Sequence, residues 1–377
     1  MRLILKFLYV FYAALVIISA YWVDPVHDYA GYLQHWQMIL DGEDPWKKMH
    51  AANAYGPIYN LFAYLYAIEH QLPKLFFVAS WLFIAIYSVV NFSKVAESNR
   101  TEKFVFALFW LANPFFLLST ISYGFNDSFV AFLVFVGLIS TIYYNRSKLA
   151  VFFISLAVLV KIYPIFLLPF IDTIKTKLID NFKVFIIMFL TVYGVTFIVW
   201  GGSFLNAFGK ANGRDPTLFS IMRFLDGKYF PFETLGDFII LFSNLFILIG
   251  VFYVFYLFQR QKIAKHTALL ASITILFTFY KAGQFQFFIT YFAVFSVWSL
   301  IEFRIENPNK AAFYAVIVLG LWFAVMVGVV YPLSIGYNGN YEYIRDIIGL
   351  PTFLMEIAIL YFLLSKKYQQ PLKKIKA

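Results

Sequence analysis

The sequence predicts an all-α, polytopic transmembrane helical bundle, and three observations predict it. Of the 377 residues, 62% are hydrophobic and 22% aromatic, while only 13% are charged; a water-soluble chain carries about a quarter charged residues and roughly half apolar ones. Apolar runs of the length that crosses a bilayer, roughly 20 residues, recur throughout the chain. The basic residues lie in short clusters between those runs, so the net charge of +10 reads as an orientation signal and not as a nucleic-acid-binding face. Cytosolic globular, disordered and nucleic-acid-binding classes are excluded. There are no cysteines, which removes disulfides, thiolate metal sites and cysteine nucleophiles. Five scattered histidines do not suggest a histidine-built metal centre.

The apolar runs occupy 3–22, 75–92, 104–121, 128–144, 184–200, 238–258, 267–280, 286–303, 311–330 and 350–365. Arg2 and Lys6 before a run ending at Ala20 also fit a signal peptide. The run is long for that role and small residues are sparse at its end, so it is read as a span. Twenty of the thirty Lys and Arg fall in the N-terminus, 93–103, 145–148, 172–183, 259–266, 302–310 and the tail 366–377. The positive-inside rule puts these in the cytoplasm and the loops 23–74, 201–237 and 331–349 outside.

Parity tests this arrangement. The stretch 149–171, between two basic connectors, is too short for two full helices. It must enter and leave by one face, as two half-helices or a re-entrant hairpin, with Lys161 and Pro164 at its tip. The segment 57–72 reads as a helix lying along the outer surface. The expectation is one integral membrane domain over 1–377 with about twelve membrane segments, N-in and C-in. It has a basic cytoplasmic tail and no internal repeat.

Polar residues that interrupt apolar sequence meet the outer face. The first outer loop holds Asp24, His27, Asp28, Asp41, Glu43 and Asp44, then Tyr55-Gly56-Pro57. Asn126 and Asp127 lie in the turn 123–127, Lys161 and Tyr163 at the hairpin tip, and Lys281 and Gln286 in the turn after 267–280. Arg214, Asp215 and Arg223 lie in the loop 201–237. Ionisable groups at membrane depth are costly and mark pathways or sites. Each has a plainer reading: Asp41, Glu43 and Asp44 as solvated acids, Gly42 and Asp44-Pro45 as a helix stop and turn, a span-end lysine as a snorkelling anchor, and His27 and His35 as aromatic-belt residues. Lys161 resists the anchor reading because parity buries it. Acids and cations gathered at one face permit glycosyl transfer: a carboxylate takes the acceptor's hydroxyl proton, and lysine or arginine stabilises a departing phosphate.

The order of the motifs carries more. Asp28-Tyr29, followed by Gly42, Asp44-Pro45-Trp46 and Tyr55-Gly56-Pro57, resembles the first luminal loop of the catalytic subunit of GPI mannosyltransferase I. It is similar also to the bacterial polyprenyl-phosphate-mannose-dependent transferases of the GT-C superfamily. Asn113-Pro114 with the turn Gly124-Phe125-Asn126-Asp127-Ser128, then Lys161-Ile162-Tyr163-Pro164, then Lys281 with Gln286-Phe287-Phe288, follow in the family's order. Thr217 to Arg223 resembles a serine-to-arginine segment of the bacterial branch. The resemblance implies a GT-C fold, a polyprenyl-phosphate-sugar donor, a lipid-linked or glycan acceptor and transfer on the extracytoplasmic face. It also implies Asp28 as catalytic base and Lys161 and Lys281 as donor-phosphate contacts. Tyr163, Asn126, Asp127, Gln286, Arg223, Asp24 and His27 are the further substrate-binding candidates. The eukaryotic enzymes carry an acidic D-x-D pair where this chain has Val26 before Asp28, so no metal and no cofactor is expected. A transporter or flippase for a lipid-linked sugar is the alternative from another class. It would place polar groups at the bilayer midplane and often carry repeats. A non-catalytic membrane scaffold is the third reading.

Overall fold

The computed structural model describes residues 2–24, 28–47, 55–95, 100–175, 177–227, 229–330 and 342–365. The α-helices begin with α1 (Arg2–Trp22), α2 (Asp28–Leu40), α3 (Phe62–Ile68), α4 (Leu72–Val95), α5 (Arg100–Leu111) and α6 (Pro114–Leu117). They continue with α7 (Asp127–Tyr144), α8 (Ser147–Val160), α9 (Leu178–Trp200), α10 (Leu205–Asn212), α11 (Ile221–Asp226) and α12 (Glu233–Leu241). The last are α13 (Ser243–Gln259), α14 (Lys265–Phe279), α15 (Phe288–Glu302), α16 (Lys310–Val325), α17 (Glu342–Ile347) and α18 (Gly349–Leu364). Two-residue strands β1 (Thr217–Leu218) and β2 (Ala282–Gly283) pair in parallel, Thr217 opposite Ala282.

Among the described residues, six stretches of helix are long and apolar enough to cross a membrane, or seven when α12 and α13 count as one bent span; α8, α14, α18 and most of α1 are shorter apolar helices. The chain is nearly all helical, and these helices mark it as an integral membrane protein. Large apolar side chains face outward: Ile187, Leu190, Phe197 and Ile198 on α9, and Leu248, Ile249 and Phe252 on α13. In water such a surface would be prohibitive. The stretch Phe285–Glu302, by contrast, is enclosed along its whole length.

Local chemistry sets the ends of these elements. After α2, Gly42 adopts φ +74°. Its amide donates to Ile39 O (3.1 Å), and that of Glu43 donates to Met38 O (2.8 Å). This glycine stop is the one expected from the sequence. Asp44 accepts from the Trp46 amide (3.0 Å), forming the turn at Asp44-Pro45. The run 104–121 is not one straight helix. Pro114 offers no N–H, and Asn113 Oδ1 takes the Phe115 amide (2.9 Å) while its Nδ2 donates to Gly320 O (3.1 Å). A π-helical turn over Leu118–Ser122 follows. The run 238–258 likewise divides, with a 55° bend between α12 and α13. The bend coincides with Ser243-Asn244, side chains that compete for backbone hydrogen bonds.

The chain forms two compact units. Unit 1 comprises Met1–Tyr87, Phe116–Ile165 and Ile179–Gly213; unit 2 comprises Ser88–Phe115, Phe166–Leu178 and Arg214–Ala377. Unit 1 is built around the α7–α8 hairpin, turned at Asn145 in the left-handed region (φ 51°). At Gly137 the two helices are so close that a Cβ would lie 3.0 Å from the Ile154 side chain. The Lys74 ammonium caps the end of α1, donating to Ala20 O (2.7 Å) and to Val23 O. Unit 2 packs α14, α15, α16 and α18 about aromatic contacts such as Phe288–Phe323 (4.3 Å between centroids), while Phe92–Phe106 (4.2 Å) joins the end of α4 to α5.

Unit 2 also contains a backbone node at Ser220. Its hydroxyl donates to Tyr280 O (2.7 Å) and accepts the Met222 amide (3.1 Å), capping α11. A Cβ at Gly349 would fall inside contact distance of the Ser220 carbonyl oxygen, and one at Gly283 would collide with the Ser220 amide. Gly349→Ala is therefore expected to destabilise the protein by about 1–3 kcal/mol, read as a lower melting temperature of the detergent-solubilised protein. An unchanged melting temperature would show that the node yields without strain.

Candidate functional site

In unit 1 the site begins with two chain breaks at facing ends of the α7–α8 hairpin. Gly124 takes φ +61°, and the turn after the π-helical segment leads through Asn126 into α7, whose first turn carries Asp127. A carboxylate there is favoured by the helix dipole. At the other end Lys161 donates its amide to Ala157 O (2.9 Å) and then leaves the helix in an extended conformation (φ −143°, ψ 133°). Tyr163 to Phe170 continue as a 3-10 helix. The break expected at Lys161-Ile162-Tyr163-Pro164 is present.

The hairpin brings these ends together. Lys161 Nζ lies 2.7 Å from Asp127 Oδ2, both side chains being buried. Tyr163 OH donates to Asp127 Oδ1 across a long 3.4 Å. The ammonium also sits 4.8 Å from the centroid of the Tyr55 ring. Tyr55 OH is 3.0 Å from Tyr32 OH. Gly56 donates its amide to Val160 O (3.0 Å), satisfying a carbonyl left over at the end of α8. A Cβ at Gly56 would collide with the Leu159 carbonyl oxygen, so the Tyr55-Gly56-Pro57 step has a steric reason for its glycine.

Asp28 opens α2, and its position is tied to this cluster through its neighbour Tyr29. A Cβ at Gly124 would lie 2.8 Å from the Tyr29 ring. Tyr29 OH donates to His70 O (3.2 Å) and accepts the Lys74 amide (3.1 Å). Burial pushes the Tyr29 pKa well above its ordinary value, so the hydroxyl keeps the proton it donates. Asp24 is exposed. His27 and the side chain of Asp28 lie outside the described residues.

Unit 2 holds the remaining candidates. Lys281 is half-buried directly before β2, and its carbonyl accepts the Thr217 amide (3.1 Å). The parallel strands thus join the 217–223 and 281–286 segments. Gln286 is buried in the 3-10 turn before α15. Arg223 is engaged by Asp346, at 2.7 and 2.9 Å, with Asp226 at 3.7 Å. Among the described residues no three His, Cys, Asp or Glu side chains converge as metal ligands.

No protein-family model matches the chain, and no curated protein is significantly similar to it. The residues themselves therefore carry the functional argument.

Sequence reasoning did not find several of the partners. In the sequence Tyr55 stands out only as part of a motif, yet its ring covers the Lys161 ammonium. His35, read as an aromatic-belt residue, is buried among Trp46 and Tyr59, and its Nε2 lies 2.9 Å from Asn60 Oδ1. The pairing of Asp127 with Lys161 had one signal, an acid at the start and a lysine at the end of two apolar runs joined by a short basic turn. Asp127→Leu or Lys161→Met alone should cost about 3–5 kcal/mol, and the double variant much less than the sum. Thermal unfolding of the four proteins checks this; additive losses would mean that the two charges do not support each other.

Proposed function

We propose that the chain is a GT-C-type membrane glycosyltransferase. It transfers a sugar, mannose in the enzymes it resembles, from a polyprenyl-phosphate donor to a glycolipid, glycan or polysaccharide on the extracytoplasmic face. In this reading about twelve membrane segments, some short or re-entrant, cross with both termini in the cytoplasm. One observation carries the proposal. Three motifs that are far apart in sequence, Asp28-Tyr29, Gly124 to Ser128 and Lys161-Ile162-Tyr163-Pro164, meet within unit 1, with Tyr29 against Gly124 and Lys161 on Asp127.

The chemistry assigned to them balances. The acceptor hydroxyl attacks the anomeric carbon of the donor, the bond from that carbon to the phosphate oxygen breaks, and the polyprenyl phosphate leaves with the electron pair. Asp28 takes the hydroxyl proton as general base. Lys161 answers the charge that collects on the phosphate. Because Asp127 already neutralises Lys161, an arriving phosphate competes with a carboxylate for one ammonium. Asp127 then orients the lysine while the site is empty. Tyr163, bonded to the same carboxylate, is polar lining.

The test is transfer by the purified protein from radiolabelled polyprenyl-phosphate mannose to a glycolipid acceptor, paired with mass spectrometry of lipid-linked glycans from cells with and without the gene. Asp28→Asn should lower the rate by about 10²–10⁴-fold at unchanged melting temperature. A wild-type rate in that variant removes Asp28 as the base. Movement of intact lipid without a new glycosidic bond favours the transporter.

A further inference from the structure

Two side chains next to Asp127 in sequence have no hydrogen-bond partner among the described residues. Asn126 is fully buried, at 0% exposure. It occupies the N-cap position of α7, yet its side chain makes no cap hydrogen bond. Neither its Oδ1 nor its Nδ2 finds a partner among the described residues. Ser128, on the other side of Asp127, is equally buried, and its Oγ is also without a partner among them. Unpaired buried polar atoms destabilise a protein, and nearly all such atoms in folded chains are satisfied. Two such side chains, one on each side of Asp127 in sequence and at a chain break, call for a ligand.

The donor and acceptor inventory restricts what that ligand is. A carboxamide offers two N–H donors and a carbonyl acceptor, and a serine hydroxyl both donates and accepts. The oxygens of an ionised phosphodiester only accept, so a phosphate would leave Asn126 Oδ1 unpaired. An ammonium only donates, and an acyl chain does neither. A pair of neighbouring hydroxyls does both, accepting from Nδ2 and donating to Oδ1. We propose that Asn126 and Ser128 form the subsite that reads the hydroxyls of the donor's sugar ring, next to the pair that meets its phosphate. This rests on the glycosyltransferase reading above and assigns sugar selectivity to two named side chains. A site built to bond a hydroxyl discriminates strongly against a ligand that lacks it.

The experiment compares equilibrium binding of polyprenyl-phosphate mannose and of bare polyprenyl phosphate to the full-length wild type, Asn126→Leu and Ser128→Ala in detergent, with melting temperatures. Wild type should prefer the sugar-bearing lipid. Asn126→Leu, with the same branching and number of heavy atoms, should melt near the wild-type temperature, because it removes unpaired polar atoms without removing a cap. It should lose about 10-fold or more of the sugar preference while its affinity for the bare phosphate stays within about two-fold. Ser128→Ala should lose about three-fold or more. A wild-type preference in both variants overturns the subsite and leaves the donor reading standing. A wild type that binds neither lipid overturns the donor reading and the subsite together. Should Asn126→Leu melt at a lower temperature or fail to fold, Ser128→Ala decides: a sugar preference within about two-fold of wild type overturns the proposal.

Discussion

The ion pair between Asp127 and Lys161 is the constraint on which the ordering of unit 1 depends. An isolated charge buried at that depth would be prohibitive, and a pair is tolerable only with good geometry and further contacts. Both conditions are met by the hairpin. The turn at Asn145 makes α7 and α8 antiparallel, so the first residue of one helix faces the residue that ends the other. With Lys161 held there, the chain leaves the helix as an extended residue, and the Val160 carbonyl is met by the Gly56 amide. Tyr55 is thereby laid over the ammonium, and behind it pack Tyr59, tilted (4.6 Å between centroids), and Tyr32, edge-on (5.6 Å). The aromatic wall is a consequence of the charge pair as much as a cover for it.

Several loops of unit 2 bury polar atoms in paired contacts. Ser220 is shared among three backbone segments, and Asp346 takes up Arg223. At the other end of α14 and α15, Glu302 accepts the Asn309 amide (2.8 Å) and lies 2.9 Å from His266 Nε2. These contacts hold loops to helix ends and leave their polar atoms paired. Asn126 and Ser128 share their lack of a partner with other buried side chains among the described residues, such as Thr217 and Ser296; what sets them apart is their place on either side of Asp127.

A helical membrane bundle was legible in the sequence because hydropathy is a local property. The stop at Gly42, the turn at Asp44 and the break at Lys161 were legible for the same reason, each depending on residues within a few positions. What escaped depends on contacts between distant segments. Nothing in the run 104–121 announces that Asn113 will reach Gly320, and nothing in 238–258 measures a 55° bend. The partner of Lys161 lies 34 positions away, and only the length of the hairpin decides that it is Asp127. The candidate residues were legible as polar interruptions, whereas their pairing needed the fold.

The two-residue strand pair has a consequence for how the protein can change. Thr217 and Lys281 are 64 positions apart in the chain, yet their segments are stitched by backbone bonds, and Gly283 leaves no room over Ser220. Neither segment can be replaced alone without disturbing the other's path. Lineages that diversify this face, and engineers who graft it, would have to move the two as a single cassette.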